Sequence, residues 1–286
     1  MFTDTFRNRH RDPYTRPATV QAGPLGDRQF LVTRRALGKK PLAGKALVNR
    51  RRTPASISSP VSDSDSNQKS ESILYAIDNL KTVYGAPRPE PGLDPLDVLI
   101  ETILSQSTTN VNSRRAFDNL KKRFPTWDAV RRARVISIES AIRSGGLAKQ
   151  KSVRIKQLLD EIHQSRGSLD LSFLARAPLD EARRFLASFK GVGPKTVACT
   201  LLFACNRPVF PLDTHIFRIA RRLGLIRERC SDEEAHRLMG AMIPPKRYYE
   251  VHINLIRHGR RVCRPRDPLC EQCCLIDYCE YYQRRD

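Results

Sequence analysis

From Ser70 to about His258 the chain repeats apolar positions at helical spacing with few interruptions. The spacing predicts helices near 70–83, 96–104, 111–124, 149–165, 180–189, 195–205, 215–223, 231–242 and 247–258. Several carry start signals. Asp180 precedes an apolar set at Ala182, Phe185, Leu186 and Phe189, and Ser231 with Glu234 makes a capping box. Gly259 stands where a helix-ending glycine belongs. No stretch alternates with period two between hairpin turns, and no repeat has a solenoid period, so the fold class is all-α.

Residues 1–69 lack that pattern. Of the 51 Lys and Arg and 30 Asp and Glu that give the 286-residue chain its charge of +21, residues 1–60 hold 13 basic and 3 acidic residues. About half the excess is therefore in the first fifth, including the run Arg50, Arg51, Arg52, and a Ser, Pro and Asp-rich stretch, 53–70, follows. This reads as a disordered basic arm and linker, 1–69, ahead of a folded region, 70–286. The arm suits non-specific DNA tethering, a solvated tail, or, less well, an Arg-rich organelle transit peptide. No apolar run approaches the roughly 18 residues of a spanning helix, which argues against a membrane protein. No early apolar region precedes a small-residue cleavage site, so a secretory leader is not expected. The excess charge favours a polyanionic partner, since each Lys or Arg near a phosphate releases counterions.

Candidate chemistry begins at Phe189-Lys190-Gly191-Val192-Gly193-Pro194-Lys195-Thr196, between two amphipathic helices. In the second, Val197, Ala198, Leu201, Leu202 and Cys205 share one face. The glycines permit a tight turn, and Pro194 suits a first helical position. Free backbone N–H groups at the helix start then offer an anion site, although a Gly-x-Gly turn also serves as an ordinary cap. Eighteen residues after Lys195, Asp213-Thr214-His215 opens another helix. Asp213 is a natural N-cap, and helix-end charge favours a carboxylate there. The same end effect disfavours an ammonium at Lys195 and so favours a nucleophilic amine; a surface or phosphate-binding Lys is the simpler alternative.

Four of the eight cysteines, Cys263, Cys270, Cys273 and Cys279, form a C-x6-C-x2-C-x5-C array. Such a set suits a metal or an iron–sulfur cluster; structural zinc is the rival, but four-cysteine zinc sites usually come as two close pairs. Cys274 is off the pattern, and Cys199, Cys205 and Cys230 read as buried thiols.

These residues resemble the endonuclease III family of DNA glycosylases in the helix-hairpin-helix superfamily. The similarity spans about Ser70 to Asp286. It rests on Leu104-Ser105, Gly146-Leu147 with Lys151, the hairpin Gly191-Val192-Gly193 with Lys195-Thr196, Leu212-Asp213-Thr214-His215-Ile216-Phe217-Arg218, His258-Gly259-Arg260, and the cysteine array ending Cys279-Glu280-Tyr281. The resemblance implies a two-lobed helix-hairpin-helix glycosylase fold. Its central lobe would span about 95–212, its second lobe 70–94 plus 213–262, and a cluster loop 263–279 would bind [4Fe-4S] through the four cysteines. It implies Lys195 as nucleophile and Asp213 as catalytic carboxylate of a bifunctional DNA glycosylase and abasic-site lyase in base excision repair, acting on oxidised pyrimidines. The implied partner is double-stranded DNA with damaged or abasic sites, met by a monomer with no membrane. The compartment would be cytoplasmic in a bacterium and nuclear or mitochondrial in a eukaryote.

The implied DNA contacts are Gln106, Ser107, Leu147 as a wedge, Lys190, Gly191, Val192, Gly193, Arg264 and Arg266. Three positions depart from the family pattern. Ser107 stands where members often have a gap-filling Gln, with Gln106 one residue earlier. Lys190 replaces a Pro, and Asp267 replaces a Lys. A mismatch or modified-pyrimidine glycosylase, and a non-catalytic helix-hairpin-helix DNA-binding protein, remain the alternatives.

Overall fold

The computed structural model describes residues 63–285, with side chains from Ile73 onward. Residues 1–62 of the expected arm lie outside the described residues. The first helix, α1 (Asp63–Tyr84), begins seven residues ahead of its expected start. Its opening turns, Asp63-Ser64-Asp65-Ser66-Asn67-Gln68-Lys69, are wholly polar, so apolar period could not register them. Among the described residues there is no strand.

Buried apolar side chains fall into two clusters. The first joins α2 (Pro95–Ser105), α3 (Asn110–Arg123), α4 (Trp127–Arg132), α5 (Val135–Ala141), α6 (Ala148–Arg166), α7 (Leu179–Ala187) and α8 (Pro194–Cys199). Leu99, Ile103, Leu120, Ile138, Ile155, Leu159 and Leu186 are fully buried there. The second joins α1 to α9 (Thr214–Arg222), α10 (Asp232–Met242) and α11 (Tyr248–Arg261), with Leu275 and Cys279 of the C-terminal loop, which ends in α12 (Glu280–Gln283). Leu201 belongs to the first cluster and Leu202 to the second; Val209 and Phe210 divide likewise. The chain therefore crosses between the clusters just after α8, where Thr200–Ala204 forms a π-helical turn.

Two end signals behave differently from expectation. Asp180 is inside the first turn of α7 rather than capping it, because Pro178 precedes the helix. Gly259 does not end α11, which runs on to Arg261. A Cβ there would meet the Cβ of His215 at 2.8 Å, so the glycine lets α11 and α9 approach closely. The short α4, α5 and α12 were not anticipated, since one or two turns cannot establish a period.

Candidate active site and nucleic-acid interface

The hairpin forms between α7 and α8. Gly191 has φ +83°, the left-handed region that favours glycine, and Gly193 precedes Pro194 at the start of α8. Lys190, Gly191 and Gly193 are exposed. Val192 turns its side chain into the first core, 6% exposed, so only its backbone is left to face a ligand.

Lys195 is half-buried in the first turn of α8. Burial pushes the thiol of Cys199, one turn on, up, and the positive charge of Lys195 opposes that rise. Asp213 caps α9, accepting from Ile216 N at 2.8 Å. Fully buried His252 of α11 interacts electrostatically with both Asp213 and Lys195. Its Nδ1 lies 3.0 Å from Pro211 O, so Nδ1–H donates there, and Nε2 is a buried acceptor without a partner. Phe203 and Phe210 flank the ring at 5.3 and 6.3 Å.

Burial lowers His252 from 6.5 to about 4. Between those values the unfolded chain binds a proton that the folded chain refuses, so stability is full above pH 6.5 and falls as pH drops toward 4. The loss should be about 3 kcal/mol. Urea unfolding at pH 7 and pH 4 checks this. His252→Asn, which keeps a donor for Pro211 O, should flatten the wild-type difference by about that amount, and an unchanged slope would contradict it.

Two further loops carry predicted DNA contacts. Gln106 is the C-cap of α2, and Ser107 follows as an exposed turn with φ +53°. Gln106 Oε1 accepts from Arg154 at 2.8 Å. Leu147 precedes α6, 51% exposed at φ +50°, a conformation bulky residues rarely adopt. Buried Lys151 ties the two loops together, donating to Leu104 O at 2.7 Å and Gly145 O at 2.9 Å.

The C-terminal loop is held by α9. Arg218 donates from Nε and a terminal nitrogen to Cys263 O at 3.0 and 2.8 Å, and to Gly259 O at 2.9 Å. Arg222 reaches Cys263 Sγ at 3.2 Å, Arg264 O at 2.8 Å and Pro265 O at 3.2 Å. Cys273 Sγ accepts from Leu275 N at 3.4 Å and has His258 Nε2 at 3.4 Å, while Arg285 reaches Cys270 Sγ at 3.5 Å. None of the eight cysteines is in a disulfide. Among the described residues no three His, Cys, Asp or Glu side chains are placed to hold a single metal ion. Yet N–H donors converge on three of the four array sulfurs, and Cys279 interacts electrostatically with Cys263 and Cys270. That donor pattern fits thiolate ligands spread around a polynuclear cluster. Arg264 and Arg266 are exposed. No described helix is long and apolar enough to cross a membrane.

Sequence reasoning missed His252, Arg154 and Arg222. A charge four residues after Arg218 on the same helix face was the available signal for Arg222; nothing in the local pattern marked the other two.

Residues 100–245 match the model of the family described as HhH-GPD superfamily base excision DNA repair protein. An Arabidopsis thaliana protein bearing a provisional DNA glycosylase name is 42% identical over 165 residues, covering 58% of this chain. The match spans only 56% of that relative's length. Endonuclease III of Thermotoga maritima is 31% identical over 199 residues, 70% of this chain and 89% of its own. Two solved endonuclease III–DNA complexes, one non-covalent and one a trapped covalent intermediate, superpose with TM-score 0.66 at 25% identity. They cover 76% of this chain and 97% and 98% of theirs.

Proposed function

The chain belongs to the HhH-GPD superfamily of base excision DNA repair proteins, with endonuclease III among its relatives, and on that premise we propose that it is a bifunctional DNA glycosylase and abasic-site lyase acting on oxidised pyrimidines. The observation that carries the reading is that Lys195 and Asp213, at the starts of α8 and α9, both act electrostatically on the one buried imidazole of His252.

The target nucleotide leaves the base stack and enters the site. The Lys195 amine forms a bond to C1′ as the bond from C1′ to the base breaks, and the base departs with the electron pair. Asp213 accepts a proton from the attacking nitrogen, and its negative charge offsets the positive charge building at C1′. Opening of the sugar leaves an iminium between Lys195 and C1′, which acidifies the C2′ proton. Its removal expels the 3′ phosphate and breaks the strand on that side. The hairpin N–H groups, with Lys190 beside them, hold a backbone phosphate. Leu147, already held out to solvent, wedges into the duplex, and Arg264 and Arg266 lie on phosphate.

Cys263, Cys270, Cys273 and Cys279 would hold [4Fe-4S], which when bound supplies a rigid, electron-rich anchor for the loop. Arg218 and Arg222 connect that loop to the helix whose opposite end carries Asp213. The two buried clusters support a two-lobed organisation with the site between them, and the proposed working unit is the monomer.

The reading is tested with a panel of duplexes carrying oxidised pyrimidines, mismatches or an abasic site, assayed for nicking and borohydride trapping. Binding with no nicking of abasic DNA would make the protein a binding module. Excision confined to mismatches or other modified pyrimidines would reassign the substrate.

A second test concerns residues 1–62, which hold 13 basic and 3 acidic residues. Because α1 starts at Asp63, the cut belongs there rather than at Ser70. A chain starting at Asp63 should trap abasic DNA within about twofold of full length. Its slope of log affinity against log salt should be shallower by about 0.9 for each phosphate that the arm neutralises in the full-length protein. An unchanged slope, or loss of all nicking, would refute this division of labour.

A further inference from the structure

Arg154 joins two parts of the site that the sequence leaves separate. It lies half-buried on α6, one turn after Lys151. Its terminal nitrogen donates to Gln106 Oε1 at 2.8 Å. The rest of its head lies against the hairpin: a Cβ on Gly191 would fall 2.4 Å from Arg154 Nε and 2.7 Å from its Cδ and Cζ. Gly191 has the positive φ that favours glycine, and the guanidinium lies directly against it.

An arginine can serve both neighbours at once. The guanidinium carries five N–H donors in a rigid plane and accepts nothing. One edge is used on Gln106, and the others remain available to an anion at the hairpin, where backbone N–H groups already favour phosphate. The same one-sidedness fixes the Gln106 amide. Only its oxygen can face Arg154, so its NH2 group must point the opposite way. Without a neighbouring donor the amide could present either end.

We propose that Arg154 is a positioning residue that couples phosphate binding at the hairpin to Gln106, presenting the Gln106 amide NH2 to the acceptors of the base left unpaired when its partner leaves the stack. Gln106 then fills the gap, and Ser107, at the exposed φ +53° tip, is the turn that directs the loop. The inference rests on the glycosylase reading above and gives its Gln106–Ser107 departure a mechanism. Arg154 contacts no reacting atom, so its effect appears in recognition of the disrupted pair and not in bond-breaking.

The test needs no chemistry. A duplex with a tetrahydrofuran abasic analogue opposite 2-aminopurine, and an intact duplex of the same sequence, are titrated with full-length protein while the fluorescence is followed. Wild type, Gln106→Ala, Arg154→Met and the double variant form a cycle. Each single variant should reduce the preference for the analogue over intact duplex about tenfold, with loss of the 2-aminopurine response, and the double variant should lose no more. Arg154→Lys should recover affinity for intact duplex but not the preference, because one ammonium cannot span both contacts. The proposal is overturned if the two losses add, if Arg154→Met keeps the wild-type preference, or if it weakens both duplexes equally, as a structural role would. Failure of wild type to nick abasic DNA would sink the enzymatic reading instead, leaving the binding cycle to decide on Arg154.

Discussion

Lys195→Gln should abolish borohydride trapping on abasic duplex and lower strand nicking by about 10³-fold or more, the order expected when a covalent nucleophile is removed. Glutamine stays polar and is only one atom shorter, but its amide cannot form an imine with C1′. Lys195 is half-buried in a first helical turn, so its replacement leaves the two cores intact. Affinity for an uncleavable abasic analogue should therefore stay within a fewfold of wild type. Asp213→Asn separates a second role. Asparagine caps a helix about as well as aspartate, so the bond to Ile216 N and the start of α9 survive while the charge is lost. Its nicking rate should fall about 10²- to 10⁴-fold, the range for losing a proton-transfer group, with melting temperature nearly unchanged. Wild-type trapping by Lys195→Gln would overturn the assignment of the nucleophile. A melting loss in Asp213→Asn matching that of Asp213→Ala would show that the carboxylate acts on the helix alone.

What could be read in advance divides by the range of the signal. The helices of the two cores were legible because Leu99, Ile103, Ile155, Ile219 and Leu255 recur at helical spacing, which only helices burying one face require. Pro194 and Asp213 were legible as helix starts because a cap acts on residues two or three positions away. Gly259 misled for the complementary reason. Glycine marks either a helix end or a close approach, and the side chain that decides, His215, is 44 residues distant in the chain. The catalytic-site candidates Lys195 and Asp213 came from a resemblance and not from spacing, since each also has an ordinary local explanation. His252 and Arg154 were invisible because their significance lies entirely in long-range contacts, to Pro211 and the site in one case and to Gln106 and Gly191 in the other. Leu202, which looked like one more residue on the face of Leu201, faces a different core because the π turn rotates the chain there.

Cys273→Ser should purify without stoichiometric iron or acid-labile sulfide and with a markedly less stable second lobe, whereas the adjacent Cys274→Ser should keep both and trap DNA normally. The two substitutions make the same chemical change one residue apart, so the contrast isolates ligation from loop packing. Cys273 Sγ accepts from Leu275 N–H and lies 3.4 Å from His258 Nε2, while Cys274 contributes its carbonyl to Asn79 Nδ2 at 3.0 Å, which serine preserves. Binding a metal centre that the unfolded chain cannot assemble adds its free energy to folding. Here that energy would reach the core directly, since Leu275 and Cys279 are buried in it. It would also reach the chemistry. Arg218 and Arg222 clasp Cys263 and the loop after it from α9, and Asp213 caps the same nine-residue helix. Freeing the loop would remove the anchors at one end of a short rigid element whose other end carries Asp213, the carboxylate proposed to act at C1′. Trapping by Cys273→Ser should therefore fall about 10- to 100-fold, as when the groups supporting a metal site are removed. Equal iron content in the two variants would remove Cys273 from the ligand set. Stoichiometric zinc without iron or sulfide after anaerobic purification of wild type would replace the cluster with a structural ion.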